Sequence, residues 1–154
     1  MLKPLAAGLI LIMSLPNAAQ AEVKGCYERV YDSAHLKKHP KQKVTRIKLQ
    51  YGFESGPDMP EADLNSTDVW VRGSKVRYYA IPICAAGTTP LRCGIEEDGG
   101  SFTLQEHGDS LTLTNTNYIR IQNPDGDETD SIELQPDQEH RLFILRKTSS
   151  KHCG

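Results

Sequence analysis

The sequence predicts an all-β fold, a single small antiparallel barrel or sandwich of about eight to ten short strands with one short helix, stabilised by disulfides. Three observations carry that expectation. Thr45 to Tyr51 alternates strictly, with Thr45, Ile47, Leu49 and Tyr51 on one face and Arg46, Lys48 and Gln50 on the other, the pattern of a half-buried strand. Clusters with turn chemistry recur about every 8 to 12 residues, the spacing of an antiparallel meander. Cysteines stand near both ends of the region that follows the N-terminal apolar segment.

The elements follow in order. Tyr27 lies in a first strand, and Ser33 to Lys38 reads as a short helix with Ser33 at its N-cap and Pro40 as its stop. Strands are then expected at Thr45–Tyr51, Asp68–Arg72, Val76–Ile83, Leu91–Ile95, Ser101–Gln105, Ser110–Thr114, Tyr118–Gln122, Ser131–Leu134 and Arg141–Arg146. Turns separate them at Arg72-Gly73-Ser74-Lys75, Asp98-Gly99-Gly100, His107-Gly108-Asp109, Asn115-Thr116-Asn117, Asn123-Pro124-Asp125-Gly126 and Gln135-Pro136-Asp137. Glu54 to Ser66, with Gly56, Pro57 and Pro60, reads as a loop. Pairing of the first strand with the last, which carries Leu142 and Ile144, is expected to close the sheet and hide its edges.

Met1 to Ala21 has the form of an export signal: Lys3 precedes an apolar run from Leu5 to Leu15, and Ala19-Gln20-Ala21 offers an A-x-A cleavage site. The run is shorter than the roughly 20 residues of a spanning helix, so the chain is not expected to span a membrane. Residues 22–154 then form one domain. Removing Lys3 leaves 17 basic against 20 acidic residues there, a net charge of −3. That balance, without aromatics interleaved among the basic residues, argues against nucleic acid as a partner.

All four cysteines follow the signal, and an even number in an exported chain reads as two disulfides. Cys84 and Cys93 flank a turn-rich segment, while Cys26 and Cys153 stand at the two ends of the domain. The favoured pairs are therefore Cys84 with Cys93 and Cys26 with Cys153. A four-cysteine zinc site would need C-x-x-C spacing, which is missing.

Charge is uneven. Lys24 to Tyr51 carries eight Lys or Arg against Glu28 and Asp32, whereas Glu96 to Asp109 and Asp125 to Glu139 hold five and seven acidic residues with no Lys or Arg. Among possible sites, His35 and His39 have i,i+4 spacing but lack the Glu of H-E-x-x-H. Asp125 to Asp130 departs from a calcium loop by having Asp130 where Gly is needed. Glu96 and Glu97, read as strand neighbours, would point to opposite faces. No G-x-S-x-G is present. The expectation is a chain with no catalytic, cofactor or metal residues. The surface candidate is the hairpin tip with Arg72, Ser74, Lys75 and Arg77, preceded by Trp70 and followed by Tyr78 and Tyr79, since Arg and aromatics on a rigid tip anchor protein partners.

Cys26 to Asp32, His35 to Pro40 and Val44 to Ile47, together with Arg92 to Gly100, resemble a family of small exported proteins of Gram-negative bacteria that carry no assigned function. The resemblance implies export and a single β domain, and conveys nothing about activity. Members often have a further cysteine where this chain has Glu97, so their disulfide pattern is not carried over. In fold and charge, Gly73-Ser74-Lys75 with Tyr78 is similar to the loop that periplasmic inhibitors of c-type lysozyme present to the lysozyme cleft, although the flanking motif differs. The resulting expectation is a non-catalytic periplasmic or secreted binding protein whose partner is a protein, such as an exogenous hydrolase, or an anionic envelope component.

Overall fold

A computed structural model of the chain describes residues 23–53, 64–85, 87–126 and 130–153. The expected export signal, most of the expected loop from Glu54 to Ser66, and Asp127 to Thr129 of the acidic turn lie outside these residues.

Ten strands form one antiparallel sheet: β1 (Gly25–Val30), β2 (Val44–Phe53), β3 (Leu64–Val71), β4 (Arg77–Ala80), β5 (Pro82–Ala85), β6 (Leu91–Ile95), β7 (Gly100–His107), β8 (Ser110–Gln122), β9 (Ser131–Leu134) and β10 (Leu142–Thr148). The path β10-β1-β2-β3-β4-β8 returns to β10 through β8, which makes a ring of strands. Two meanders, β1 to β4 and β5 to β8, meet at β8, and β10 re-enters between β1 and β8. The expected pairing of first and last strands is present, with Tyr27 opposite Lys147.

Alternation decides which side chains face inward. Along β8, Leu111, Leu113, Ile119 and Ile121 are buried, and along β10 so are Phe143 and Leu145. They join Tyr27, Ile47, Leu49, Val69, Phe102 and Leu104 in one core. Each such side chain contributes about 2 kcal/mol through removal of apolar surface from water. Tyr27 also keeps its hydroxyl satisfied by donating to Glu106; burial first, then that carboxylate, raises its pKa.

Four local readings need correction. Helix α1 (Ser33–Lys38) is capped by Asp32, whose carboxylate accepts from the His35 N–H at 2.7 Å, and not by Ser33. The expected strand Val76–Ile83 is two strands, because the chain leaves β3 after Ala80 and Pro82 begins a new pairing with β6. Asn115-Thr116-Asn117 is no turn but the middle of β8. There β8 exchanges β10 for β9, and the buried Asn115 amide donates to the carbonyls of Leu134 and His140 at 2.8 and 3.2 Å. A shift of the β7–β8 register accommodates this at Gly100, whose φ is +94° and where a Cβ would lie 1.8 Å from the Tyr118 carbonyl oxygen. Finally, Lys48 is on the outer face of β2 as expected but is buried: its Nζ donates to the His152 carbonyl at 3.1 Å and pairs with Asp68 at 3.3 Å, under the C-terminal turn.

Both expected cysteine pairs are bonded. Cys26 and Cys153 have Cα atoms 6.0 Å apart across 127 residues, and Cys84 and Cys93 are direct cross-strand partners 4.0 Å apart. Two such bridges are typical of chains that fold in oxidising, exported compartments. No helix among the described residues is long and apolar enough to cross a membrane.

Candidate functional site

The hairpin tip between β3 and β4 does not stand free. Val44 and Val71 are register partners, and the Arg72 N–H donates to the Lys43 carbonyl at 2.7 Å, which sets the tip beside the chain leaving α1. The Arg72 guanidinium then donates at 2.9 Å to the carbonyl of Leu36, in the last turn of the helix where backbone donors run out, and at 3.3 Å to that of His39, which the Gln42 N–H also serves. Ser74 is likewise turned inward on its own loop: its Oγ accepts from the Val76 N–H at 3.1 Å. Arg77 lies 3.9 Å from Asp68 with its side chain 61% exposed. Lys75 is exposed and has no ion pair among the described residues.

This docking gathers cations that are distant in sequence. Lys37 and Lys38 end α1, Lys41 and Lys43 lead into β2, and Arg72 and Lys75 lie on the tip that packs against them. All six are exposed residues, and the five lysines have no ion pair among the described residues. The nearby carboxylates are committed elsewhere. Asp32 caps the helix, Glu139 meets His39 at 3.1 Å and Asp137 meets His140 at 2.8 Å. A cluster of this kind produces a positive potential that attracts acidic surfaces and weakens with salt.

His35 and His39 do share a helix face, but their rings stack at 4.3 Å, with Tyr31 against His35 at 4.8 Å. Burial raises the pKa of that tyrosine, with the Arg29 guanidinium opposing it. Among the described residues no group of three His, Cys, Asp or Glu is placed to hold a metal. In the acidic turn, Asp130 accepts from the Asn123 side chain, a contact within the turn.

Glu96 and Glu97 are not strand neighbours on opposite faces. They stand in the turn after β6 and line one cleft together with Arg120. Sequence reasoning missed the two residues that fix the cationic end from behind, Asp137 and His140. The buried His140 receives the Lys43 N–H on Nε2 at 3.0 Å, so its proton lies on Nδ1, facing Asp137. The one available signal was Asp at position 137 after Pro136, a turn-forming pair three residues before a histidine. Compared with family models, with curated proteins and with solved structures, the chain matches none.

Proposed function

We propose that this is a non-catalytic binding protein of the periplasm or exterior, and that the cationic end built from α1 and the β3–β4 tip is its contact face for an acidic partner protein. The observation that carries the reading is the anchoring of Arg72 on the Leu36 and His39 carbonyls, because it joins two cationic segments distant in sequence into one preorganised surface. Lys75 is exposed on the same tip whose Arg72 bonds α1, and a cation on a rigid loop is suited to a cleft lined by carboxylates. A hydrolase whose catalytic groups are carboxylates presents such a cleft. Inhibition of an exogenous hydrolase is the specific form the reading takes, with lysozyme the first enzyme to assay.

The lysine cluster also favours a second reading, attachment to an anionic glycan or lipid of the envelope. The two differ in salt dependence. Attachment to a polyanion weakens steeply as ionic strength rises, whereas a packed protein interface persists once formed. Immobilised disulfide-bonded protein is exposed to envelope extracts and to purified lysozyme across a salt series. Saturable capture of a hydrolase with loss of its activity supports the first reading. Full lysozyme activity at saturating protein removes lysozyme as the partner, and capture of polysaccharide or lipid alone, lost in moderate salt, replaces the first reading with the second.

A further inference from the structure

The strand β5 ends the pairing path. It bonds β6 on one side, and among the described residues no strand pairs with its other side. Cys84 and Cys93 face each other with Cα atoms 4.0 Å apart, the close approach of a non-hydrogen-bonded pair. The hydrogen-bonded pairs are therefore their neighbours, Ile83 with Gly94 and Ala85 with Arg92. It follows that the N–H and C=O of Cys84 and the C=O of Pro82 point away from β6, toward the open edge. Sheet edges that must not pair are blunted by charged side chains, prolines or very short strands. β5 is short and begins at Pro82, but Pro82 to Ala85 include no charged side chain, and the outward groups of Cys84 lie beyond the proline. On the solvent face Ile81 and Ile83 are 52% and 59% exposed. Opposite Ile83, Gly94 leaves the surface bare, since a Cβ there would meet nothing within 4 Å.

Ile81 also lines the cleft at the start of β5, a space of about 210 Å³ whose other walls include Tyr79, Ile95, Glu96, Glu97 and Arg120. That is below the roughly 300 Å³ at which small-molecule sites begin, and suits a single side chain. The charge of the cleft is acidic. Arg120 is neutralised by Glu133 at 2.9 Å, a hydrogen bond that raises its pKa. The carboxylates of Glu96 and Glu97 have no cation paired with them among the described residues. The turn that carries them is clamped, because Arg120 donates to the Glu97 carbonyl at 3.2 Å and the Tyr118 hydroxyl donates to that of Asp98.

We propose that the open edge of β5 and the acidic cleft at its start form a docking surface for an extended segment of a partner protein, with an apolar residue over Ile83 and a lysine or arginine in the cleft. The open edge suits a strand, since another backbone can replace water on its outward N–H and C=O groups in register. The apolar stripe selects its side chains, and the two carboxylates select its cation. This surface shares no residue with the cationic end, so either can fail without the other.

The test uses the disulfide-bonded protein and an array of capped octapeptides of alternating valine and threonine, in which one lysine is walked along the sequence. Norleucine and glutamate at the same position serve as comparators. In the best register the lysine peptide is expected to bind about tenfold more tightly than its norleucine twin. Glu96→Gln with Glu97→Gln removes that preference, and binding slows amide exchange at Cys84. Ile83→Lys and Gly94→Lys each abolish binding. The second variant adds its side chain to open space, and an unchanged thermal midpoint shows that it folds. No binding across the array, equal binding of lysine and norleucine peptides, or binding that survives both edge variants overturns the proposal. So does sedimentation showing that the chain dimerises through this edge and becomes monomeric on Ile83→Lys, which would assign the edge to a second copy.

Discussion

The guanidinium of Arg72, on the turn between β3 and β4, donates to the carbonyl of Leu36 in α1 at 2.9 Å. It supplies a donor that the last turn of a six-residue helix lacks, and its bond to His39 adds to the Gln42 N–H already on that carbonyl. Such a helix is far too short to persist by itself. Arg72→Ala is therefore expected to lower stability by about 1 kcal/mol and to speed amide exchange in α1 more than elsewhere. Both bonds come from Nη2 alone, so Arg72→Lys is expected to restore part of the loss, an ammonium having donors for both carbonyls but standing on a shorter stem. Equal exchange rates in the wild type and the alanine variant would dissociate the helix from the tip.

Asp137 holds the buried His140 from the other side. Its carboxylate accepts the Glu139 and His140 N–H groups at 2.9 Å and faces His140 Nδ1 at 2.8 Å. Burial pushes the Asp137 pKa up, but those hydrogen bonds outweigh it and leave the pKa below its ordinary value. A depressed folded-state pKa stabilises the fold above the unfolded value of about 3.9, and that contribution is lost as pH falls through the folded value. Asp137→Ala is expected to cost about 1 to 2 kcal/mol at neutral pH. Urea unfolding at pH 7 and again near pH 3 should show the gap between wild type and variant narrowing in acid. A gap of constant size would mean that the ionised carboxylate is not its source.

Strands legible in the sequence were those whose alternation is unbroken and whose ends carry turn residues. Leu91–Ile95 and Ser131–Leu134 have the same bounds in the structure. The misread places are those where a polar side chain is satisfied from far away. Asn115 looked like a turn residue because its amide commonly bonds its own backbone, yet here it serves carbonyls 19 and 25 residues further on. Lys48 looked solvated because nothing local shows that the C-terminal turn, tied down by Cys26 and Cys153, covers it. The same limit governs the candidate site. Composition flagged Arg72, Ser74, Lys75 and Arg77, but only tertiary contact distinguishes the anchored Arg72 from the free Lys75.

The two disulfides should contribute unequally. In the chain-entropy account, closing a loop of 127 residues constrains the unfolded chain by about 5 kcal/mol and a loop of nine residues by about 2.6 kcal/mol. Cys26–Cys153 also keeps the C-terminal turn over Lys48, so its loss exposes a charge pair that the fold otherwise shields. Replacing Cys26 and Cys153 together by Ala is expected to lower stability more than replacing Cys84 and Cys93. Denaturant midpoints of the two double variants decide this, and a reversed order would place the larger constraint at the β5 edge.

At the cationic end, stability and binding should separate. Arg77 is largely exposed and 3.9 Å from Asp68, and Asp68 keeps its closer partner Lys48 when Arg77 is removed. Exposed pairs of this kind contribute little, and the Lys75 side chain has no hydrogen bond or ion pair among the described residues. Replacing Lys75 and Arg77 together by Ala should thus leave stability within about 0.5 kcal/mol. Affinity for an acidic partner should fall about tenfold, and its dependence on salt should flatten, because Lys75 of the cluster and the exposed Arg77 next to the tip are gone. Lys37→Ala with Lys38→Ala should act in the same direction, since these exposed residues lie between Leu36 and His39, which Arg72 of the tip bonds. Unchanged affinity in both pairs would remove this face from recognition. A large loss of stability in the first pair would instead assign Lys75 and Arg77 to the fold, as the structure already does for Arg72.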